Sequence, residues 1–276
     1  MRFVDPPRLT KVLQLSLVGI TLVAAYSTPV AAQPPGLVVS VAASIHDALA
    51  EVAGLYRAAT GVTVALNTGG SNTLARQIVE GAPVGLFLSA DNQQMDVVEK
   101  AGRLVPGTRV RLLTNELAVV VPRDAPASFG LDRLLAGEVS RLAMGEPSAV
   151  PAGVYGRRWL EAQKAWGRLS EKVIPFPTVR AVLSAVEAGR VDVGIVYRTD
   201  AATAAVRVVG CITPKDHPYL DIVQPAAVIA GPQEAEARRF LDFLKSAPAR
   251  AVFEKRGFGS RPVLSEPKLL IGRVEG

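Results

Sequence analysis

Leu37-Val38-Val39-Ser40-Val41-Ala42-Ala43-Ser44-Ile45-His46-Asp47-Ala48 is the stretch on which the fold turns. A valine-rich apolar run stops at two alanines and a serine, and an amphipathic run follows without a spacer. The pattern predicts a buried first strand feeding directly into a helix, with Ser44 as N-cap and Asp47 at capping-box spacing. A helix that starts at the C-terminal edge of a strand leaves backbone N–H groups unpaired and turns the positive end of its dipole outward. Such a place attracts an anion.

Outward from this unit the same alternation recurs. Val62 to Leu66 reads as a second strand, Thr73 to Glu80 as a helix, Val84 to Ser89 as a third strand and Met95 to Ala101 as a third helix. Strand–helix repetition of this kind implies an α/β architecture, a parallel sheet wrapped by helices. The texture changes at Arg109–Leu113 and Leu117–Val121, two strand-like runs separated by Thr114-Asn115-Glu116, where the chain passes into a second lobe. Ile222 to Ile229 is apolar enough to pass back. The expected division is therefore 33–113 with 228–276 for the first lobe and 114–227 for the second.

Residues 1–32 read as a targeting segment rather than part of the fold. Arg2, Arg8 and Lys11 precede an uncharged apolar run from Val12 to Ala25, and Thr28-Pro29-Val30-Ala31-Ala32 supplies the small residues of a cleavage site after Ala32. Export to the periplasm is the expectation. Cys211 is the single cysteine of the 276 residues, so no internal disulfide can form and the fold must be stable through packing. It sits in an apolar run and is expected to be a buried small hydrophobe. The formal charge of +6 comes partly from the leader, and the other charges are scattered without a basic run or aromatic interleaving. Nucleic acid is not an expected partner.

Four helix starts share one context, each opening on small uncharged residues after an extended segment. They lie at Ser44, at Ser71 behind Gly69-Gly70, at Ala152 behind Pro151, and at Val179 behind Pro177-Thr178. In open parallel sheets ligands lie beyond the C-terminal strand ends, where all four gather if the topology is right. Tyr197 ends an apolar strand, so its ring can be buried while its phenol reaches a polar site. Backbone N–H groups, two serine hydroxyls and a phenol all donate hydrogen bonds, and none needs a formal charge. That set suits a small, fully ionised oxyanion, because a protonated one also requires an acceptor.

The runs Val41-Ala42-Ala43-Ser44, Ser71 to Ile78, Leu86 to Asp91, Val150 to Tyr155 and Gly194-Ile195-Val196-Tyr197 resemble, in the same order, those of bacterial periplasmic molybdate-binding proteins. The resemblance covers nearly the whole chain after the leader. It implies a two-lobed, type II periplasmic-binding-protein fold, each lobe a mainly parallel sheet wrapped by helices, with the ligand cleft between them. It further implies capture of molybdate, and of tungstate, for delivery to the permease and ATPase of an ABC importer, by a monomer with no cofactor and no catalysis. Carried over position by position, Ser44 and Ser71 give hydroxyl and backbone donors, Ala152 and Val179 backbone N–H groups, and Tyr197 its phenol. Two positions depart from the pattern. Gly85 stands where an acidic residue is usual, and Asn72 where a small hydroxyl residue is common.

Other chemistry is poorly supplied. His46 and His217 are too few and too far apart for a metal site. A hydrolase needs a nucleophile, a base and an orienting acid, and no nucleophile-elbow or phosphate-loop sequence occurs. A carrier for sulfate, thiosulfate or another small oxyanion is the nearer alternative, an exported serine hydrolase using Ser44 or Ser71 the more distant one.

Overall fold

A computed structural model describes Met1 and residues 36–259. The expected leader, Met1 aside, lies outside the described residues. The chain begins with β1 (Leu37–Ala42), α1 (His46–Thr60), β2 (Val64–Gly69), α2 (Ser71–Val79), β3 (Leu86–Leu88), α3 (Asn92–Lys100) and β4 (Val110–Thr114). A second group follows: β5 (Leu117–Pro122), α4 (Leu131–Ala136), β6 (Leu142–Gly145), α5 (Pro151–Ala162), α6 (Trp166–Leu169), β7 (Val173–Phe176), α7 (Val179–Glu187), β8 (Val193–Tyr197), α8 (Arg198–Ala201) and β9 (Val206–Ile212). The return comprises β10 (Val223–Val228), α9 (Glu234–Leu244) and α10 (Ala247–Lys255).

Each group has its own five-stranded sheet, in the orders β2-β1-β3-β10-β4 and β7-β6-β8-β5-β9. Helices flank both, giving the two-lobed type II architecture. The sheets are mixed rather than mainly parallel. β1 runs parallel to β2 and β3, but β10 is antiparallel to β3 and β4. Likewise β6 runs parallel to β7 and β8, while β5 is antiparallel to β8 and β9. The antiparallel halves are built from β4, β5, β9 and β10, the strands on either side of the passages between the groups. β10 pairs wholly within the first sheet, so the return precedes Val223, whereas the expected limit lay at 228.

Register explains why the loops after the strands meet. Ala42 is level with Gly69, and Val41 with Leu88, so the residues that follow β1, β2 and β3 emerge side by side. Gly145 is level with Phe176 in the second sheet, and Ala143 with Gly194. Leu37, Val39 and Val41 of β1 are fully buried against Leu49 and Val52 of α1. Each such side chain stabilises the fold by about 1.5–3 kcal/mol. α1 ends where Gly61 takes a left-handed conformation at φ 76°, which a residue with a Cβ rarely adopts.

The two passages lie together. Asn115 N–H donates to the Ile222 carbonyl at 3.2 Å, and Asn115 Nδ2 donates to Thr199 Oγ1 at 2.9 Å in the interior. Cys211 is exposed, not buried as expected, because β9 is an edge strand of which only Ile212 is buried. Gly85 lies beside Leu37 at the start of β1, where a Cβ would come within 2.7 Å of the Leu37 side chain. That is the sheet end away from the gathered loops. Among the described residues, no helix is long and apolar enough to cross a membrane.

Candidate functional site

Where the loops of both sheets meet there is a small pocket lined by all five residues singled out from the sequence: Ser44, Ser71, Ala152, Val179 and Tyr197. The first lobe contributes Ser44 and Ser71, with Ala43, Gly70 and Ala90 between them. The second contributes Ala152, Val179 and Tyr197. Among the described residues, no carboxylate, ammonium or guanidinium belongs to the lining, and Tyr197 is its one ionisable group.

Each helix start presents donors for a local reason. α2 begins at Ser71 with Gly70 as N-cap and no side-chain cap, so its first-turn N–H groups keep their capacity. α5 begins with Pro151 at its first position, which costs no hydrogen bond there and fixes the entry angle, leaving Ala152 next in line. Gly153 is required at this entrance, since a Cβ would lie 2.0 Å from the Gly145 carbonyl oxygen. α7 is capped by Thr178 Oγ1, which accepts from Ala181 N–H at 3.2 Å and leaves the Val179 N–H uncapped.

Ser44 departs from its expected local role. A 3-10 turn over Ala43–Ile45 intervenes before α1, whose N-cap is Ile45, and no side-chain cap bond forms. The tight turn leaves the serine one residue short of the capping position, among the residues that line the pocket. Ser44 is 5% exposed, and its Oγ has no hydrogen-bond partner among the described residues. A buried hydroxyl left in that state costs about 1–3 kcal/mol. A ligand acceptor at this point removes that cost.

The other two side chains are poised on the backbone of one residue, Ala90. Ser71 Oγ accepts from Ala90 N–H at 2.9 Å, which uses an oxygen lone pair and frees the hydroxyl proton for a ligand. Tyr197 O–H, from the opposite lobe, donates to the Ala90 carbonyl at 3.4 Å, long enough to be exchanged for a better acceptor. Burial, and then the nearby Tyr155, Asp91 and Asp200, push the Tyr197 phenol well above its ordinary range. It stays a donor at any physiological pH.

Some neighbours were not legible in the sequence. Ala90 joins Ser71 to Tyr197 through its backbone alone, so no side-chain signal marks it. Gly70 abuts the opposite lobe, and a Cβ there would lie 2.8 Å from the Pro177 carbonyl oxygen. Asn72 Oδ1 is buried beside Gly70 without a partner, next to the pocket rather than in its lining. His46 does not reach Ser44; its Nδ1 is 2.8 Å from Thr68 Oγ1. Among the described residues no group of three or more His, Cys, Asp or Glu side chains is placed to hold a metal ion. Geometrically, the site is a neutral cage of donors shared between two lobes, matched to an acceptor-only anion.

Comparison with known proteins identifies the family and the fold. The sequence model of the family described as bacterial extracellular solute-binding protein matches residues 37–259. The molybdate-binding protein ModA of Escherichia coli is 37% identical over 230 residues, which are 80% of this chain and 88% of that protein. Among solved structures, the periplasmic molybdate-binding protein of Azotobacter vinelandii superposes with a TM-score of 0.73 at 26% identity, over 82% of this chain and all (100%) of that one. The sulfate-binding protein SubI of Mycobacterium tuberculosis shares the fold, with a TM-score of 0.68 at 19% identity over 83% of this chain and 87% of its own.

Proposed function

The chain belongs to the bacterial extracellular solute-binding family, and from that premise we propose that it binds molybdate in the cleft between its lobes for uptake by an ABC importer. The observation that carries this reading is the donor set. Helix starts from both lobes, the unpartnered Ser44 hydroxyl, the free proton of Ser71 and the Tyr197 phenol all line one pocket that holds no charge. Preorganised neutral donors bind a dianion by alignment, without the reorganisation that water would need. They offer no acceptor for the proton of hydrogen phosphate.

Ser44, Ser71, Ala152, Val179 and Tyr197 are the ligand residues in this reading, and the protein performs no catalysis. Tungstate, of the same charge and shape class, occupies the same cage. The chain is exported with 1–32 as its leader, acts in the periplasm as a monomer, and delivers the anion to a membrane permease with its ATPase. The lobes run from 33 to 113 with the C-terminal return, and from 114 to the second passage. Because donors are divided between the lobes, the anion stabilises the closed arrangement and the passages at Asn115 and Ile222 act as the hinge.

Calorimetric titration of anion-stripped protein tests the proposal. Molybdate and tungstate should give saturable one-to-one binding, sulfate weaker binding, and phosphate none. A flat molybdate isotherm rejects the reading, and a sulfate isotherm tighter than molybdate transfers the assignment to sulfate.

A further inference from the structure

Past Ser44 the neutral pocket adjoins a larger vestibule, also lined by Asp47 from α1 and Arg180 from α7. These two residues face one another across the lobes. Arg180 Nη2 lies 2.7 Å from Asp47 Oδ2, although 133 residues separate them in sequence. Arg180 Nε stands 2.8 Å from Asp200 Oδ1, in an approach off the N–H axis. Its Nη1 is 3.5 Å from Thr203 Oγ1.

Asp200 and Asp47 differ in what they can tolerate. Asp200 is fully buried on α8, within the same lobe as Arg180. A buried carboxylate is costly unless a cation stays beside it. Arg180 and Asp200 belong to one lobe, so they stay neighbours whether the lobes are apart or together. Asp47 is 40% exposed at its side chain and sits on the other lobe, so it meets Arg180 through closure alone. Arg180 also follows Val179 directly, which couples the position of the guanidinium to that of an anion donor.

We propose that the Arg180–Asp47 ion pair is a latch across the mouth of the cleft, formed on closure, aimed by Asp200, and slowing the escape of the bound anion. The inference rests on the anion-binding reading of the pocket. Both residues are positioning residues that act on the lobes and not on the anion. The size of the effect is modest, since both partners are partly exposed and such pairs contribute little singly.

The sign of the effect separates a latch from simple charge. Asp47 is a negative group beside a dianion site, so by Coulomb's law alone its removal tightens binding. Removing a latch loosens it. Molybdate dissociation from the purified protein, followed by stopped flow, should be about three- to fivefold faster in Asp47→Asn, with association changed less than twofold and the unfolding temperature unchanged. Arg180→Lys, which keeps one charge but cannot span both carboxylates, should shift dissociation the same way. Raising sodium chloride to 0.5 M should shrink the difference between wild type and Asp47→Asn, because salt screens a partly exposed pair.

Unchanged or slower dissociation in Asp47→Asn overturns the latch while leaving molybdate binding intact. Failure of the wild type to bind molybdate overturns the functional reading instead, and the latch is then judged from lobe separation. Spin labels at the exposed native Cys211 and at Val97→Cys, one on each lobe, report it. Wild type should populate the short distance more than Asp47→Asn, and identical distributions overturn the proposal.

Discussion

The proposed anion pocket and the vestibule beside it share Ser44 alone among the described residues. The pocket is lined by small and apolar residues, the hydroxyl residues Ser44, Ser71 and Thr178, and a phenol, whereas the vestibule carries Arg180, Lys255 and Arg256 with Asp47. Formal charge is kept one layer away from the ligand. A lysine or arginine at the ligand would attract every anion, and its long flexible stem would adapt to any of them. N–H groups fixed by helix starts do not adapt, so they discriminate by geometry. The charged residues outside are left to govern approach and closure.

The largest effect should come from breaking the neutral side. Ser44→Ala and Tyr197→Phe each remove one hydrogen bond to a charged ligand, worth about 1.5–3 kcal/mol. Molybdate affinity by calorimetry should fall about 10- to 150-fold in each. Ser44→Ala should leave the stability of the anion-free protein unchanged or slightly raised, since the hydroxyl it deletes has no partner there. Equal affinity in both variants would remove these groups from the site and dissolve the contrast.

A buried acid sharpens the comparison at intermediate size. Asp91 follows Ala90, is 3% exposed, and caps α3 by accepting from Gln94 N–H at 2.9 Å. Burial pushes its carboxyl from 3.8 up to about 6, against the pull of the Gln94 and Ser89 hydrogen bonds and of Arg158. The folded protein therefore holds this proton more tightly than the unfolded chain. Stability falls as pH rises from 3.8 to about 6, and the penalty is complete above that. Asp91→Asn keeps the cap and should raise the unfolding free energy by about 1–2 kcal/mol at pH 7.5, with no gain at pH 4. Denaturant melts at the two pH values check it. The Asp47→Asn latch comparison is next in size.

The smallest effect belongs to the exposed edge of the vestibule. Lys255→Gln should slow molybdate association about twofold at 10 mM salt and leave dissociation alone, with the difference gone at 0.3 M. An altered dissociation rate would place Lys255 in the latch rather than on the approach.

How far these features were legible depended on how locally they were encoded. Ser71, Ala152, Val179 and Tyr197 could be read because each stands beside a strand end, and parallel register brings strand ends together without further information. Ser44 was legible as a location but not as a geometry, because a 3-10 turn and an N-cap share the same serine preference. Cys211 misled because an apolar run does not say whether its strand is central or at an edge. Ile222 to Ile229 reads as a strand passing between lobes, and only pairing partners decide which sheet owns it. Arg180, Asp47 and Asp200 left no trace at all. Asp47 looked like a helix-capping residue, and no pattern within one helix announces a partner on the other lobe.

Gly70 carries one more consequence. With no Cβ in the way, its backbone comes against the Pro177 carbonyl of the facing lobe, where an added methyl carbon would sit 2.8 Å from the oxygen. Main chain meets main chain there, and neither can swing aside as a rotamer does. The jaws therefore have a rigid end-stop, so the gauge of the bite is set by peptide planes. On the proposed function, a smaller tetrahedron should be held less firmly, because the jaws would have no further travel with which to grip it.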